Sequence, residues 1–280
     1  MIMRLVATTF FLLCLMCTEV FAGGGRLPTP TPPTNPRPPT DPQPPSEPPH
    51  VFRSPKSDAA VFYVKNNFTL RTESNLKTAV SRLKGSKYSY NKSKDVYTWD
   101  LNGGILDGKN QSGDGGQDED QEPLIRVRIP LVIKNGFIRN NKDAVYFYVP
   151  DSGVERITWL NVGEDAVGTS KGAYNFRAID CEAINSRRTA DKSFQFNEAK
   201  GLVVEDNVIK GGITGMRIGD SKINSVSDRA YVRNNKFIDV DTAHNLSSIT
   251  VEETGPSKYI NVRLRWKHSN GSKLIEYHED

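Results

Sequence analysis

Five charged residues recur at a spacing that would bring them together in a chain wound into stacked coils. Asp143 is followed by the adjacent pair Glu164 and Asp165, then by Lys192 and finally by Arg217. These positions follow one another at intervals of roughly 20–30 residues, a length that suits one coil of a solenoid. Stacked β-strands lie about 4.7–4.9 Å apart, so residues separated by one coil length line up in a column. The spacing therefore predicts three carboxylates beside a lysine and an arginine on one face.

That set of side chains predicts a particular chemistry. Three oxygen donors on neighbouring coils would form a Ca²⁺ site that stays open to water and to substrate carboxylates. A lysine has an ordinary pKa near 10.4, which a neighbouring Arg⁺ and Ca²⁺ both lower. A neutral Lys192 would then remove the proton α to the carboxylate of a uronic acid, while Arg217 stabilises the developing charge. The alternative interpretation is a solvated turn with a surface ion pair.

Such a column requires a repeating β-structure, and the sequence after Val51 has the pattern of one. It contains no long segment with an apolar period of 3.6 residues, and Glu73 to Leu83 is the one short helix predicted. After Pro130 come six apolar stretches rich in β-branched residues, each with an Asn or Asp: LVIKNGFIRN, ITWLNVG, NFRAIDCEAI, LVVEDNVIKG, AYVRNNKFIDV and YINVRL. Repeats with a period of roughly 20–30 residues indicate a solenoid. The residues taken as markers of the repeat are Asn135, Asn161, Asp180, Asp206 and Asn235.

The predicted fold class is all-β, a right-handed parallel β-helix. Strand-length units with turn residues between them favour a β-solenoid over a helical repeat. The alternative is a β-sandwich, in which tight Asn-Gly or Asp-Gly turns would join consecutive strands. Asn135-Gly136 instead falls inside an apolar stretch, and this position favours the β-helix.

The first residues predict export. Arg4 supplies a positive charge, and Leu5 to Met16 form a short apolar segment. Val20 and Ala22 occupy the −3 and −1 positions of a cleavage site, so residues 1–22 have the pattern of a signal peptide. The apolar run is too short for a membrane span. The protein is therefore expected to be secreted.

Cysteine use and proline content complete the domain prediction. Cys14 and Cys17 would leave with the signal peptide, so Cys181 would stand alone without an intramolecular disulfide; lipidation of Cys17 is the alternative. Twelve of the seventeen prolines precede position 50, and residues 23–50 are predicted to be a semi-rigid linker. One domain, 51–280, would follow.

The charge balance limits the partners. The formal net charge is +4 with many Asp and Glu residues, a balance that is not typical of nucleic-acid binding. A mildly basic surface instead suits an anionic polysaccharide, whose approach it would favour electrostatically. No further stretch is apolar enough to span a membrane, and we expect a monomer.

Several sequence blocks resemble one family of enzymes. They are GDGGQDEDQEP (113–123), VIKNGFI (132–138), DAVYF (143–147), WLNVGEDAVGTSKG (159–172) and ADKSFQFN (190–197). From about Asp107 to about Gly255 the chain is similar to polysaccharide lyase family 3, the small pectate lyases. The V-G-E-D-A and D-K-x-F-Q-x-N blocks of that family are intact here. The Q-x-E-x-Q-P motif is imperfect, because one residue separates Gln121 from Pro123.

The resemblance implies roles for individual residues. The calcium carboxylates of the family match Asp143, Glu164 and Asp165, and the base lysine matches Lys192. Asp191, just before that lysine, and Lys171 match positions that contact substrate. The family's Arg-Ser-Cys-Gly-Asn-Cys segment is MRIGD here, so the catalytic arginine is assigned to Arg217, with Arg229 as the alternative.

The expected function is therefore calcium-dependent β-elimination of (1→4)-α-D-galacturonan, that is, polygalacturonate or pectin of low methylation, giving unsaturated oligogalacturonides. One alternative is a polygalacturonase-type hydrolase on the same β-helix, which would use carboxylates and would have no need of Lys192. The other is a non-catalytic β-helix that binds cell-wall polysaccharide or serves as an adhesin.

Overall fold

The β-branched segments after Pro130 form short parallel strands, each lining one side of a coil. The computed structural model describes residues 49–109, 122–185, 191–220, 224–225, 227–247, 249–269 and 275–277. Those after Pro49 belong to one unit, His50–Asp280. The predicted signal peptide with Cys14 and Cys17, almost all of the predicted linker, and the motif residues 117–121 lie outside the described residues.

Eight strands, one from each successive coil, form the smaller of two sheets. They are β2 (Phe68–Leu70), β6 (Ile125–Val127), β8 (Val145–Phe147), β10 (Val167–Thr169), β13 (Lys192–Phe196), β16 (Thr214–Ile218), β19 (Thr242–Ser247) and β22 (Leu264–Ser269). Their order in space follows their order in the chain, and every neighbouring pair is parallel.

Fifteen strands form the larger sheet. They are β1 (Val61–Tyr63), β3 (Lys87–Asn91), β4 (Val96–Asp100), β5 (Ile105–Asp107), β7 (Leu131–Asn141), β9 (Gly153–Val162), β11 (Arg177–Ile179), β12 (Glu182–Ile184), β14 (Leu202–Glu205), β15 (Val208–Lys210), β17 (Arg229–Arg233), β18 (Lys236–Ile238), β20 (Thr250–Gly255), β21 (Lys258–Ile260) and β23 (Ile275–Tyr277). In the described part of the chain, β3 and β4 form the one antiparallel pair. All other strand pairs there are parallel, so the prediction of a parallel β-helix is confirmed and the β-sandwich is wrong.

A column of residues with left-handed backbone geometry turns the larger sheet through a corner. In β7 and β9 the strand continues through the corner at Asn135 (φ 58°) and Arg156 (φ 50°). In later coils the equivalent residues, Asp180, Asp206 and Asn234, separate two short strands. Asn and Asp tolerate positive φ better than most residues. This corner therefore explains Asn135, Asp180 and Asp206.

The corner column also corrects two of the sequence markers. Asn161 has a positive φ of 55° but belongs to a second corner, aligned with Asn140 rather than with Asn135. Asn235 lies one residue beyond the corner residue Asn234 and points inward. The true column consists of Asn135, Arg156, Asp180, Asp206 and Asn234, and each interval along it is longer than the one before. The coil length thus grows steadily along this part of the chain.

Buried amides join the coils on the inner side of this corner. Asn207 Nδ2 donates to Asn235 Oδ1 at 2.9 Å and to the carbonyl of Ala178 at 2.9 Å, and Asn207 Oδ1 accepts from the backbone of Cys181 at 2.9 Å. Asn235 Nδ2 donates in turn to the carbonyl of Val204 at 3.0 Å. These bonds satisfy backbone groups that a tight corner would otherwise leave buried without partners.

The core is a stack of aromatic and aliphatic side chains that runs through the middle of the coils. Trp159 packs edge-on against Phe194 at 5.7 Å, Phe194 lies 5.8 Å from Phe196, and Phe196 lies 5.6 Å from Phe176 (ring centroids). All four side chains are fully buried. Because Phe194 and Phe196 belong to β13, this stack fixes the strand that begins with Lys192.

A short helical cap on the first coils was predicted over Glu73 to Leu83, and the structure has α1 over Glu73–Arg82. Thr72 caps its N-terminus, since its hydroxyl accepts from the backbone N–H of Asn75 at 3.2 Å. Leu76 and Leu83 are buried in the main core. Among the described residues, no helix is long and apolar enough to cross a membrane.

One buried histidine predicts how stability depends on pH. His244, on β19, is fully buried against Phe237, with its Nε2 3.2 Å from the Tyr259 hydroxyl. Burial lowers the pKa of His244 to about 3, well below its ordinary value. A folded-state pKa below the unfolded one means that the unfolded chain binds the proton first, so acid destabilises the fold. The loss begins near pH 6.5 and grows until the pH approaches 3.

We therefore expect the free energy of unfolding of the wild type to fall by about 2 kcal/mol more than that of His244→Leu between pH 7.5 and pH 5. Urea titrations of both proteins at the two pH values measure this difference. All other titratable groups are common to the two proteins, so their contributions cancel. Equal losses in the two proteins would show that His244 is not the responsible group.

Candidate active site

Three of the predicted site residues form a column just before the aligned strands of the smaller sheet. Strands β8, β10 and β13 are adjacent and in register, with Val145 opposite Val167 and Val167 opposite Phe194. The residues two positions before these three are Asp143, Asp165 and Lys192. They therefore occupy the same place on three successive coils, as the sequence spacing predicts for them.

Hydrogen bonds between the coils hold this column together. The backbone N–H of Asp165 donates to Asp143 Oδ1 at 3.1 Å, and the carbonyl of Asp165 accepts from Ala144 N at 2.8 Å. Lys192 Nζ donates to the carboxylate of Asp191, and the carbonyl of Asp191 accepts from Thr214 N on the next coil at 2.8 Å. The Asp143 carboxylate is thus held by the backbone of the next coil, and the Lys192 amine is held by the Asp191 side chain.

These carboxylates are withdrawn from water. Asp165 and Asp191 are each 4% exposed and Glu164 is 8% exposed. Burial raises the pKa of Asp143 to about 6, partly offset by the hydrogen bond from the Asp165 N–H and by the charge of Lys192. Burial raises the pKa of Asp165 well above its usual range, and the negative charge of Asp143 raises it further. The site therefore holds more negative charge than its own lysine compensates.

The same crowding acts on Lys192. Its side chain is only 14% exposed, and burial acts to lower its pKa. The carboxylates of Asp165 and Asp191 act in the opposite direction and prevail, so the pKa of Lys192 is raised. The sequence led us to expect a lowered pKa beside Arg⁺ and Ca²⁺. With the protein's own residues alone the carboxylates dominate, and Lys192 is an ammonium ion.

Arg217 lies on the same sheet but in a different column. The residue aligned with Lys192 on β16 is Thr214, whereas Arg217 is aligned with Gln195. Three residues along a strand correspond to about 10 Å. The sequence interval between Lys192 and Arg217 therefore does not place the arginine in the column of the lysine. Arg217 stands on the next strand, three positions farther along than the residue aligned with Lys192, and is partly exposed.

The two remaining predicted cations are farther from the column. Arg229, the alternative arginine, begins β17 in the larger sheet, and its guanidinium is bound to the carboxylate of Glu252. Of the two arginines, only Arg217 belongs to the sheet that carries Lys192. Lys171 is exposed in the turn after β10, at the opposite end of that strand from Asp165.

Comparison with known protein families bears directly on this geometry. The family model for pectate lyase matches residues 78–254, which is more than half of the chain. The chain belongs to the pectate lyase family. The match extends from within α1 into β20 and includes every residue of the predicted site. The resemblance recognised in the sequence blocks is confirmed, and the family supports a pectate lyase-like polysaccharide lyase. Neither the hydrolase nor the adhesin gains support from this comparison.

For a pectate lyase-family site, the question is whether these residues fit a divalent cation. Oδ1 of Asp165 is buried and has no hydrogen-bond partner among the described residues. A carboxylate oxygen buried without a partner, next to a second carboxylate, is costly unless a cation neutralises it. Ca²⁺ prefers such oxygen donors. The donor types and the surplus of negative charge therefore fit the ion.

The side chains of the site do not converge on a single metal position. Within the described residues, no group of three His, Cys, Asp or Glu side chains converges closely enough to hold a metal ion. Ca²⁺ takes about six to eight oxygen ligands in flexible geometry. Asp143 and Asp165 would supply part of this shell, and water with substrate carboxylates would complete it. The site of a pectate lyase needs such open positions, because the polymer itself carries carboxylates.

An aromatic residue that was not among the predicted site residues lies beside the column. Tyr146, on β8, lies across Gly168 of the next coil, where an added Cβ would be 2.4 Å from Tyr146 Cε2. The Tyr146 hydroxyl accepts from Asn197 Nδ2 at 2.8 Å. Burial raises the pKa of Tyr146, with the charge of Asp165 as the next cause. Tyr146 thus forms part of the floor of this pectate lyase-family site.

A sequence signal for this contact did exist. Gly168 follows Tyr146 at the same interval that separates Asp165 from Asp143. A glycine one coil after an aromatic residue is the pattern expected where a ring covers the neighbouring strand. The ring centroid of Tyr148 lies 5.2 Å from that of Tyr146. The guanidinium of Arg128 lies 4.2 Å from the centroid of the Tyr148 ring. These groups extend the face on the side of the earlier coils.

Proposed function

We propose that this protein is a calcium-dependent pectate lyase that cleaves polygalacturonate, or pectin of low methylation, by β-elimination. The observation that carries the proposal is the partly buried column of Asp143, Asp165 and Lys192 on three successive coils of a parallel β-helix. It combines uncompensated carboxylates with an amine that is held in place. A polymer of uronic acids offers both the carboxylate for a cation and the acidic proton for a base.

The cation would be held by Asp143, Glu164 and Asp165. When bound, it would polarise the substrate carboxylate, which makes the α proton more acidic. The hydrogen bond from the Asp165 N–H fixes the Asp143 carboxylate, and bonds between the coils fix the backbones of Glu164 and Asp165, before substrate arrives. Such preorganisation avoids the cost of ordering the ligands at the moment of reaction.

Lys192 is the proposed base. Burial disfavours its ammonium form, and the charges that oppose this effect include those of Asp165 and Asp191. Neutralising the Asp165 carboxylate weakens that opposition, so the pKa of Lys192 falls and a neutral amine becomes accessible. Asp191 holds Nζ in a fixed direction. Nζ would take the proton α to the substrate carboxylate, and the glycosidic oxygen would leave from the adjacent carbon.

Two further residues have supporting roles in the proposal. Arg217, on the strand next to that of Lys192, would bind the carboxylate of the reacting sugar and stabilise the charge that develops on it. Lys171, exposed in the turn after β10, would contact a neighbouring carboxylate of the polymer. Secretion with a signal peptide at 1–22, a linker at 23–50, one catalytic domain at 51–280, and a monomeric state complete the proposal.

The experiment that tests this function is incubation of the purified protein with polygalacturonate, with added Ca²⁺ or with a chelator. A lyase produces unsaturated sugars that absorb near-ultraviolet light, and the chelator abolishes them. Reducing ends without that absorbance indicate hydrolysis, whereas binding without new chain ends indicates an adhesin. Undiminished elimination in the chelator would rule out the calcium-dependent mechanism.

A further inference from the structure

A cleft of about 570 Å³ lies on the larger sheet, which is not the sheet that carries the proposed active site. Its floor crosses four adjacent parallel strands, β4, β7, β9 and β11. Thr98, Val132, Gly153 and Arg177 stand side by side in register on these strands. Three strand-to-strand steps give a floor of about 14 Å. This length accommodates more than one sugar ring of an extended polymer.

The β3–β4 hairpin forms one wall of the cleft. Its tip contributes Asn91 and Lys94. Oδ1 of Asn91 accepts from the backbone N–H groups of Ser93 and Lys94 at 3.1 and 3.2 Å, and the Tyr90 hydroxyl donates to Asp95 at 2.7 Å. These local bonds hold the tip in one conformation. The wall therefore exists before any ligand binds, which reduces the cost of binding.

The lining has the chemistry of a site for acidic sugars. Lys94, Lys134 and Arg177 provide three cations. In the part of the chain that the structure describes, none of them forms an ion pair. Glu155 is aligned with Lys134 on the neighbouring strand, and Asn175 lies beside Arg177. The cations of the cleft can bind the carboxylates of an acidic sugar, and its carboxylate and amide groups can form hydrogen bonds with the sugar hydroxyls.

The same lining argues against a nucleic acid. Sites for phosphate chains present mainly cations, whereas this cleft also contains the carboxylates of Asp151 and Glu155. One of these, Asp151, already accepts a hydrogen bond from Asn175 at 3.0 Å. A ligand with spaced carboxylates and many hydroxyls matches this alternation better than a continuous row of phosphates does.

We propose that this cleft is a second, non-catalytic binding site for an acidic polysaccharide, occupied by a segment of polymer other than the one being cleaved. The choice of polygalacturonate as that polymer rests on the proposed function. Because the two sites lie on different sheets, one molecule would hold two segments at once. The cleft would then increase retention on long or insoluble polymer and would leave the cleavage of short fragments unchanged.

The test uses the full chain and polygalacturonate immobilised on a surface, in the presence of a chelator that removes Ca²⁺ from the proposed active site. The wild type is expected to bind, and Lys134→Ala/Arg177→Ala is expected to bind at least tenfold more weakly. Arg71→Ala/Arg263→Ala removes the same charge from exposed positions outside the cleft. This control is expected to stay within about twofold of the wild type. Lys94→Glu, on the hairpin tip, gives an independent second variant.

Three results would overturn the proposal: no binding of the wild type in chelator, equal binding by the cleft variants, or an equal loss in the control. The last result would mean that only overall charge matters. A neutral polysaccharide on the same surface must not bind. Elimination activity on short oligogalacturonides with Ca²⁺ is measured separately. If that activity is missing in the wild type, the proposed function fails while the binding measurement still decides the cleft.

Discussion

Replacing Lys192 by alanine is expected to lower kcat for the elimination of polygalacturonate by a factor of roughly 10²–10⁴, the usual contribution of a positioned general base. Binding of Ca²⁺ is expected to persist, because the Asp143 carboxylate accepts from the Asp165 backbone N–H and the Asp165 carbonyl accepts from Ala144 N, and neither bond involves the lysine side chain. The appearance of unsaturated products gives the rate, and calorimetric titration with Ca²⁺ gives the affinity.

Lys192→Arg separates the role of a base from the role of an ion-pair partner. Arginine keeps a positive charge beside Asp191 but does not give up its proton in proteins. If Lys192 is the base, the arginine variant is as inactive as the alanine variant. A variant with arginine that retains most of the wild-type rate would show that the position requires only a cation. The pH dependence of the residual rate gives a second check, since loss of the base removes the ionisation that it controls.

Replacing Asp165 by asparagine is expected to abolish the stabilisation of the fold by calcium. In a chelator, the variant should be more stable than the wild type. It lacks the buried Asp165 carboxylate, whose negative charge is unfavourable beside the Asp143 carboxylate. With Ca²⁺ at about 100 times its Kd, the wild type should gain about 2.7 kcal/mol from binding. The variant should gain almost nothing at the same concentration. Urea unfolding with and without the ion measures both effects.

Asp206→Asn is the matched control for this experiment. Asp206 is exposed, has a positive φ of 57°, and lies at the corner of the larger sheet. Asparagine tolerates that conformation well, so the change removes one carboxylate without strain. The control should respond to Ca²⁺ as the wild type does. If Asp165→Asn is stabilised by Ca²⁺ as strongly as the control, the carboxylate of Asp165 is not a calcium ligand.

The sequence was sufficient to predict the β-helix and most of one column, because both depend on composition and on the number of residues in a coil. The sequence was less reliable for assigning a residue to one of two columns whose members recur at similar intervals. Asn161 was grouped with Asn135, although the two residues turn different corners. Arg217 was grouped with Lys192, although Thr214 is the aligned residue. Turn lengths change from coil to coil, and only the backbone hydrogen bonds determine which residues are neighbours.

Side-chain direction was the other limit of the sequence. The spacing of Tyr146 and Gly168 indicates a close contact between two coils, but it does not show that the Tyr146 hydroxyl accepts from Asn197. Likewise, the raised pKa of Lys192 depends on how closely the carboxylates of Asp165 and Asp191 approach its amine. Such distances follow from packing, in which the buried Phe194 and Phe196 hold β13 in place.

The corner column has a consequence for how this fold diversifies. Each corner is determined locally, by one residue of positive φ and in two coils also by a buried amide, Asn207 or Asn235, while the chain between corners ranges in length. Insertions and deletions can therefore accumulate in the turns without shifting the strands above or below. Loops that border the sheet of Asp143, Asp165 and Lys192 are free to change in this way. A change of turn length would thus alter the surface beside the proposed site, while the strands that carry Asp143, Asp165 and Lys192 keep their places.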